Sequence, residues 1–145
     1  NLTDLDSHIL GVVAERVVAR VLGVDIDRRV TIGGDDGCDL RLGPLTVQVK
    51  YRTRQGWSFA CEEFLDADVG VLVYPGDDDG IFIVAGWTTR THFASNFKTE
   101  DYGYGVRFIL ERDDMFDANK LVEFARVVKE RWIDGNIERG STDKK

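Results

Sequence analysis

Gly37-Cys-Asp-Leu-Arg-Leu-Gly-Pro-Leu-Thr-Val-Gln-Val-Lys-Tyr-Arg52 is the stretch that decides the architecture. From Leu45 to Arg52 the residues alternate: Leu45, Val47, Val49 and Tyr51 on one side, Thr46, Gln48, Lys50 and Arg52 on the other. A period of two marks a strand with one buried face. Asp39–Leu42 alternates in the same way, and Gly43-Pro44 stands between the two runs. A type II′ turn takes Gly at its first central position, and the fixed φ of proline suits the second. With a two-residue loop Leu42 faces Leu45, Asp39 faces Gln48, and Lys50 follows two places along the same face. A carboxylate, an amide oxygen and an ammonium are therefore expected together on one polar face. A slip of one residue would turn the whole set over. As a bare surface ion pair, Asp39 and Lys50 would contribute only about 0–1 kcal/mol, so the meaning of the hairpin depends on its neighbours.

Upstream, Leu5–Leu22 is predicted to be a helix capped by Asp6 or Ser7, with Leu10, Val13, Ala14, Val17 and Val21 as its apolar stripe and Gly23 as its stop. Glu15 lies off the centre of that stripe, in line with Gly11 and Val18. A flank glutamate in solvent is the commoner fate of such a residue. Gly11 costs roughly 1 kcal/mol against Ala within a helix, so it marks a close backbone approach. Asp27–Ile32 reads as a strand and Gly33–Gly37 as a turn; with no Lys-Ser/Thr after it, that turn is not a phosphate loop.

Downstream, a short helix is expected around Cys61–Leu65. The unbroken apolar run Val69–Tyr74 is expected to be a strand buried on both faces. Pro75-Gly76 and Asp77-Asp78-Asp79 turn the chain into a second buried strand, Gly80–Gly86. A short helix over Thr88–Phe97, a loop over Glu100–Gly105 and a strand over Val106–Leu110 follow. The last helix, Asp117–Trp132, carries Leu121, Val122, Phe124, Ala125, Val128 and Trp132 at spacings of three and four, and Gly140–Lys145 is a frayed tail. The predicted architecture is a single α/β domain over residues 1–139, with a largely antiparallel, hairpin-built sheet and helices on both sides.

A chain of 145 residues, 43% hydrophobic and 31% charged, is long enough to bury a real core. No apolar run approaches the roughly 18–20 residues of a membrane span and no signal peptide is visible, so a cytoplasmic, intracellular protein is expected. Cys38 and Cys61 are expected to be reduced thiols, and with His8 and His92 they show no zinc-ligand spacing. The net charge of −7 argues against a plain nucleic-acid binder, yet Arg28-Arg29 and Lys50, Arg52 and Arg54 form local basic groups that can meet phosphate.

Gly11-Val-Val-Ala-Glu15 on a helix, Asp39 on one strand and Gln48-Val-Lys50 on the next resemble the PD-(D/E)XK nuclease superfamily. The order of helix, three strands, helix and further strands over roughly the first 85 residues is similar too. The G-x-x-x-E helix looks like the archaeal Holliday-junction resolvase branch, and the Gln-x-Lys form like the Mrr-type restriction branch. The resemblance implies a restriction-endonuclease-like core, with a central mixed sheet flanked by helices, and hydrolysis of DNA phosphodiester bonds with Mg²⁺, for which Mn²⁺ can substitute. It casts Asp39 as the central metal ligand, assisted by Glu15, Gln48 and the carbonyl of Val49. Lys50 would orient the attacking water and steady charge on the phosphate. Arg28, Arg29, Arg52 and Arg54 would contact DNA, and a homodimer would suit symmetric substrates. Two departures stand out: Gln48 occupies the place of an acid, and Cys38 rather than proline precedes Asp39. A neutral amide binds Mg²⁺ more weakly than a carboxylate, so the alternative is an inactive nuclease-fold domain that binds nucleic acid or protein.

Overall fold

Val69–Pro75 is buried along almost its whole length because it has a strand on each side and a packed layer on each face. The structure, a computed structural model, describes residues 3–25, 40–61, 65–78, 80–101, 103 and 105–133. In chain order these form α1 (Thr3–Leu22), β1 (Leu40–Leu42), β2 (Leu45–Tyr51), β3 (Phe59–Cys61), β4 (Val69–Pro75), β5 (Phe82–Thr89), α2 (Arg90–Asn96), β6 (Lys98–Asp101), β7 (Val106–Leu110) and α3 (Ala118–Ile133). A 3-10 turn at Arg112–Asp114 precedes α3. The expected strand at Asp27–Ile32, the turn after it and the tail at 140–145 lie outside the described residues.

The main sheet has the order β1-β2-β4-β5. β1 and β2 form the expected hairpin, with Leu42 opposite Leu45 and Leu40 opposite Val47. Gly43 has φ +58°, as the first central residue of a type II′ turn requires. β2 then runs parallel to β4, in the register Val47↔Val69, Val49↔Val71 and Tyr51↔Val73, so the sheet is mixed rather than largely antiparallel. Parallel neighbours need a crossover. The segment between Tyr51 and Val69 supplies it; its described residues, 52–61 and 65–68, include β3 on one face of the sheet. β5 returns from β4 as an antiparallel edge strand and runs on to Thr89, with Ile83 exposed; it is not the doubly buried strand expected at Gly80–Gly86.

The two faces carry different layers. Val47, Val49, Val69, Val71 and Val73 meet α1 through Ala14, Val18, Ala19 and Leu22, and α3 through Leu121, Ala125 and Val128. The buried seam of α1 is therefore rotated from the expected stripe, leaving Val13, Val17 and Val21 half-buried. α1 ends as the glycine stop requires: Val24 N–H donates to Ala19 O at 2.9 Å and Gly23 N–H to Arg20 O at 3.2 Å. α3 is tied to β5 through Trp87, whose indole N–H donates to Asp117 O at 2.9 Å and whose ring packs on Phe116 and Phe124.

The opposite face carries Leu72 and Tyr74 under Phe59, Cys61, Leu65, Ala67, Phe93 and Leu110. A second sheet of order β3-β7-β6, with the short α2, covers it, so both long helices share one face. Of the helix expected around Cys61–Leu65, residues 62–64 lie outside the described residues, and Cys61 ends β3. Phe59 and Cys61 are buried while Ala60 is only partly so, and the strand pairs with β7, Phe59 opposite Leu110. The loop expected over Glu100–Gly105 begins instead as β6, whose side chains are all exposed and whose pairing with β7 has no apolar signature. Gly70 of β4 is where the layers approach most closely. A Cβ there would lie 2.6 Å from Phe59 Cζ. Gly70→Ala should therefore cost about 1–3 kcal/mol by overpacking, seen as a lower urea midpoint with an unchanged slope.

Candidate functional site

The polar side of β2 carries Thr46, Gln48, Lys50 and, just past its end, Arg52. Their partners on β4 fix the face to which these side chains belong. Gln48 lies opposite Gly70 and Lys50 opposite Leu72, and Leu72 belongs to the core under the second sheet. Gln48 and Lys50 are thus brought together, half-buried, on the side covered by β3. Glu15 belongs to α1, which packs on the other face through Ala14, Val18 and Ala19. The sheet separates the helix of Glu15 from the Gln48–Lys50 row. Asp39, one residue before β1, and Arg28 and Arg29 lie outside the described residues.

Thr46 is committed to structure. Asp68 Oδ2 accepts from Thr46 N–H at 2.9 Å and from its hydroxyl at 3.2 Å, while Thr46 Oγ1 accepts from Asp68 N–H at 3.0 Å. Arg90 closes the cluster, donating to Asp68 Oδ1 at 3.0 Å and to Asp66 O at 3.0 Å. Asp68 is a carboxylate beside the β2 row that sequence reading passed over, because nothing in its local pattern sets it apart. Its lone pairs are used to lock the start of β4 onto β2 and α2.

Further along the row, Lys50 approaches Cys61 of β3. Burial holds the Cys61 thiol above its ordinary value, and the Lys50 charge pulls it part of the way back. Beyond Lys50 the chain leaves the sheet and folds back over the end of β4. Arg52 donates to Ser58 O at 2.8 Å, Gln55 to Pro75 O at 3.0 Å, and the Tyr74 hydroxyl to Trp57 O. Burial raises the Tyr74 hydroxyl above its ordinary value, partly opposed by the Arg112 charge nearby. The guanidinium carbons of Arg52 and Arg54 stand 4.8 and 5.6 Å from the centre of the Trp57 ring. Behind this loop Ser58 donates to Glu111 at 3.0 Å, and Lys98 pairs with Glu111 at 2.5 Å. Lys98 above all, then Ser58, holds the Glu111 carboxyl below its ordinary range.

Among the described residues no three His, Cys, Asp or Glu side chains gather as a metal site. Apart from the Thr46 hydroxyl and the Asp68 carboxylate, which bond to each other and to Arg90, the oxygen donors described on or next to the row are the Gln48 amide and the Val49 carbonyl. Both are hard donors of the kind Mg²⁺ takes, but a carboxylate would have to come from Asp39. Among the described residues no helix is long and apolar enough to cross a membrane. No protein-family model, curated protein or solved structure matches the chain.

The placement of Lys50 against Cys61 has a measurable consequence. In a Cys38→Ser background, the ¹³Cβ shift of Cys61 should titrate above the ordinary thiol range. Lys50→Met should move that midpoint higher still, because the favourable positive charge is removed while the burial stays.

Proposed function

We propose that this α/β domain has a restriction-endonuclease-like core and hydrolyses DNA phosphodiester bonds with the help of Mg²⁺. The observation that carries the reading is the β1–β2 hairpin. It forms in the expected register, it puts Gln48 and Lys50 on one half-buried face, and that face runs directly into Arg52. The parallel step from β2 to β4 through a crossover also suits such a core.

In this reading Asp39 and the Gln48 and Val49 oxygens hold the ion, and Glu15 contributes from around the sheet edge. When bound, the ion supplies Lewis acidity and a water of lowered pKa. Lys50 donates to the attacking water and to the phosphate oxygen on which charge develops. The half-buried setting of Lys50 strengthens that interaction relative to open solvent. Arg52 and Arg54, with Arg28 and Arg29, neutralise backbone phosphates. A two-fold dimer would present one such site to each strand.

Two observations favour a second reading, a domain of the same fold that binds nucleic acid without cutting it. Gln48 brings no charge to the ion, and α1 places Glu15 on the far side of the sheet from Lys50.

Cleavage of labelled linear duplex, single strand, flap and four-way junction with Mg²⁺, Mn²⁺ or EDTA separates the two. The nuclease reading expects metal-dependent cutting that disappears in Asp39→Ala and falls about 10²–10³-fold in Lys50→Ala, with folding and DNA binding retained. No cutting of any substrate by the folded protein selects the second reading. Gln48→Glu should tighten Mn²⁺ binding measured by calorimetry; weaker binding would place Gln48 away from the metal.

A further inference from the structure

The crossover loop after β2 holds a feature that the hydrolytic reading does not use. Trp57 is 42% exposed, although an indole ordinarily buries most of its surface. Arg52 and Arg54 both bring their guanidinium groups within 6 Å of its ring centre. Neither makes an ion pair with a carboxylate among the described residues, so both keep donors to offer. Behind the loop, Glu111 is already held by Lys98 and Ser58. The backbone that carries the ring is placed by two hydrogen bonds: the Trp57 carbonyl accepts from the Tyr74 hydroxyl, and the Trp57 backbone N–H meets Arg54 O at 3.4 Å. Arg52 continues the side of β2 that bears Lys50, two residues on, or about 6.6 Å along a strand. A polar row therefore leads from Gln48 through Lys50 and Arg52 to an exposed aromatic ring.

We infer that Trp57 is a stacking platform for an unpaired nucleobase, with Arg52 and Arg54 taking the adjoining phosphates, so that the preferred ligand is single-stranded nucleic acid or DNA with unpaired bases. The inference rests on the nucleic-acid part of the reading above and names its substrate class. The physical basis is selective. A base inside a duplex has both faces covered by its neighbours and cannot stack on an indole without leaving the helix, whereas an unpaired base offers its face freely. An acidic peptide would satisfy the arginines but leave the ring face without a planar partner. The guanidinium groups lie over the ring, so a stacking base takes the place of one of them and frees it for the adjoining phosphate, a combination that tolerates any sequence.

The test is fluorescence anisotropy in EDTA, which excludes cleavage, with a labelled 20-nucleotide mixed-sequence single strand and the blunt duplex of the same sequence. Wild type should bind the single strand more tightly. Trp57→Ala and Trp57→Leu should each weaken single-strand binding about tenfold, the effect of one lost stack, and change duplex binding less than twofold. Trp57→Phe should retain most of the preference. Arg54→Gln should weaken both ligands and lower the salt dependence of single-strand binding by about 0.7 in log–log slope. Far-UV circular dichroism melts check that each variant is folded, and Trp57→Leu keeps apolar bulk at the position if Trp57→Ala loosens the loop. Equal binding of strand and duplex by wild type, no binding of either, or full single-strand affinity in Trp57→Leu would overturn the inference. A protein that cuts DNA but treats the two ligands alike would lose the stacking platform and keep the nuclease. One that discriminates between them but never cuts would do the reverse.

Discussion

β4 is buried on both faces, and that constraint organises the rest of the molecule. Its apolar run has no polar side to turn to water, so each face must be covered by a separate layer. The parallel pairing with β2 then requires the chain to leave the sheet after Tyr51 and return at Val69, and the route it takes becomes part of one covering layer. Gly70 lets that layer settle, because Phe59 occupies the space a side chain would need. Closing the core and setting the surroundings of the Gln48–Lys50 row are therefore one event. The crossover that buries Leu72 and Tyr74 is the segment that brings Cys61 near Lys50 and Trp57 beside Arg52.

The chain is acidic overall, yet among the described residues no carboxylate pairs with Arg52 or Arg54. Some of the acids are tied up elsewhere. Glu123 and Glu130 pair with Arg126 on the exposed side of α3, Asp66 and Asp68 with Arg90, and Glu111 with Lys98. At physiological ionic strength charges more than about 8 Å away are largely screened at a surface. A phosphate approaching Arg52 and Arg54 would respond to those two groups and their neighbours more than to the net charge of −7. Overall charge is a guide to long-range steering and a poor guide to what a particular loop can hold.

The site is built from residues of unequal standing. Gln48 and Lys50 share a face by the simple period of a strand, and the hairpin turn sets their register. Thr46, on the same side, is consumed by Asp68 and has a purely structural part. Glu15 comes from a helix on the opposite face, where Ala14, Val18 and Leu22 fasten it to the valines of β2 and β4. Any chemistry joining Glu15 to Lys50 could not run straight across the sheet.

Local signals in the sequence were enough for the β1–β2 hairpin, its turn and register, the doubly buried β4, the glycine stop of α1 and the last helix. Each rests on a periodicity or a turn preference that acts within a few residues. Sequence alone could not show which face of α1 would be buried, because both Val13-Val17-Val21 and Ala14-Val18-Leu22 are apolar lines and only the neighbours choose between them. Nor could it show β3 and β6. Three residues around Ala60 and the wholly exposed Lys98–Asp101 become strands because β7 lies between them to complete their hydrogen bonds. The same holds for the setting of Trp57. The polar run Arg52–Gly56 marks a loop before it, but its exposure under Arg52 and Arg54 follows from a parallel crossover whose path is settled only when two sheets pack together.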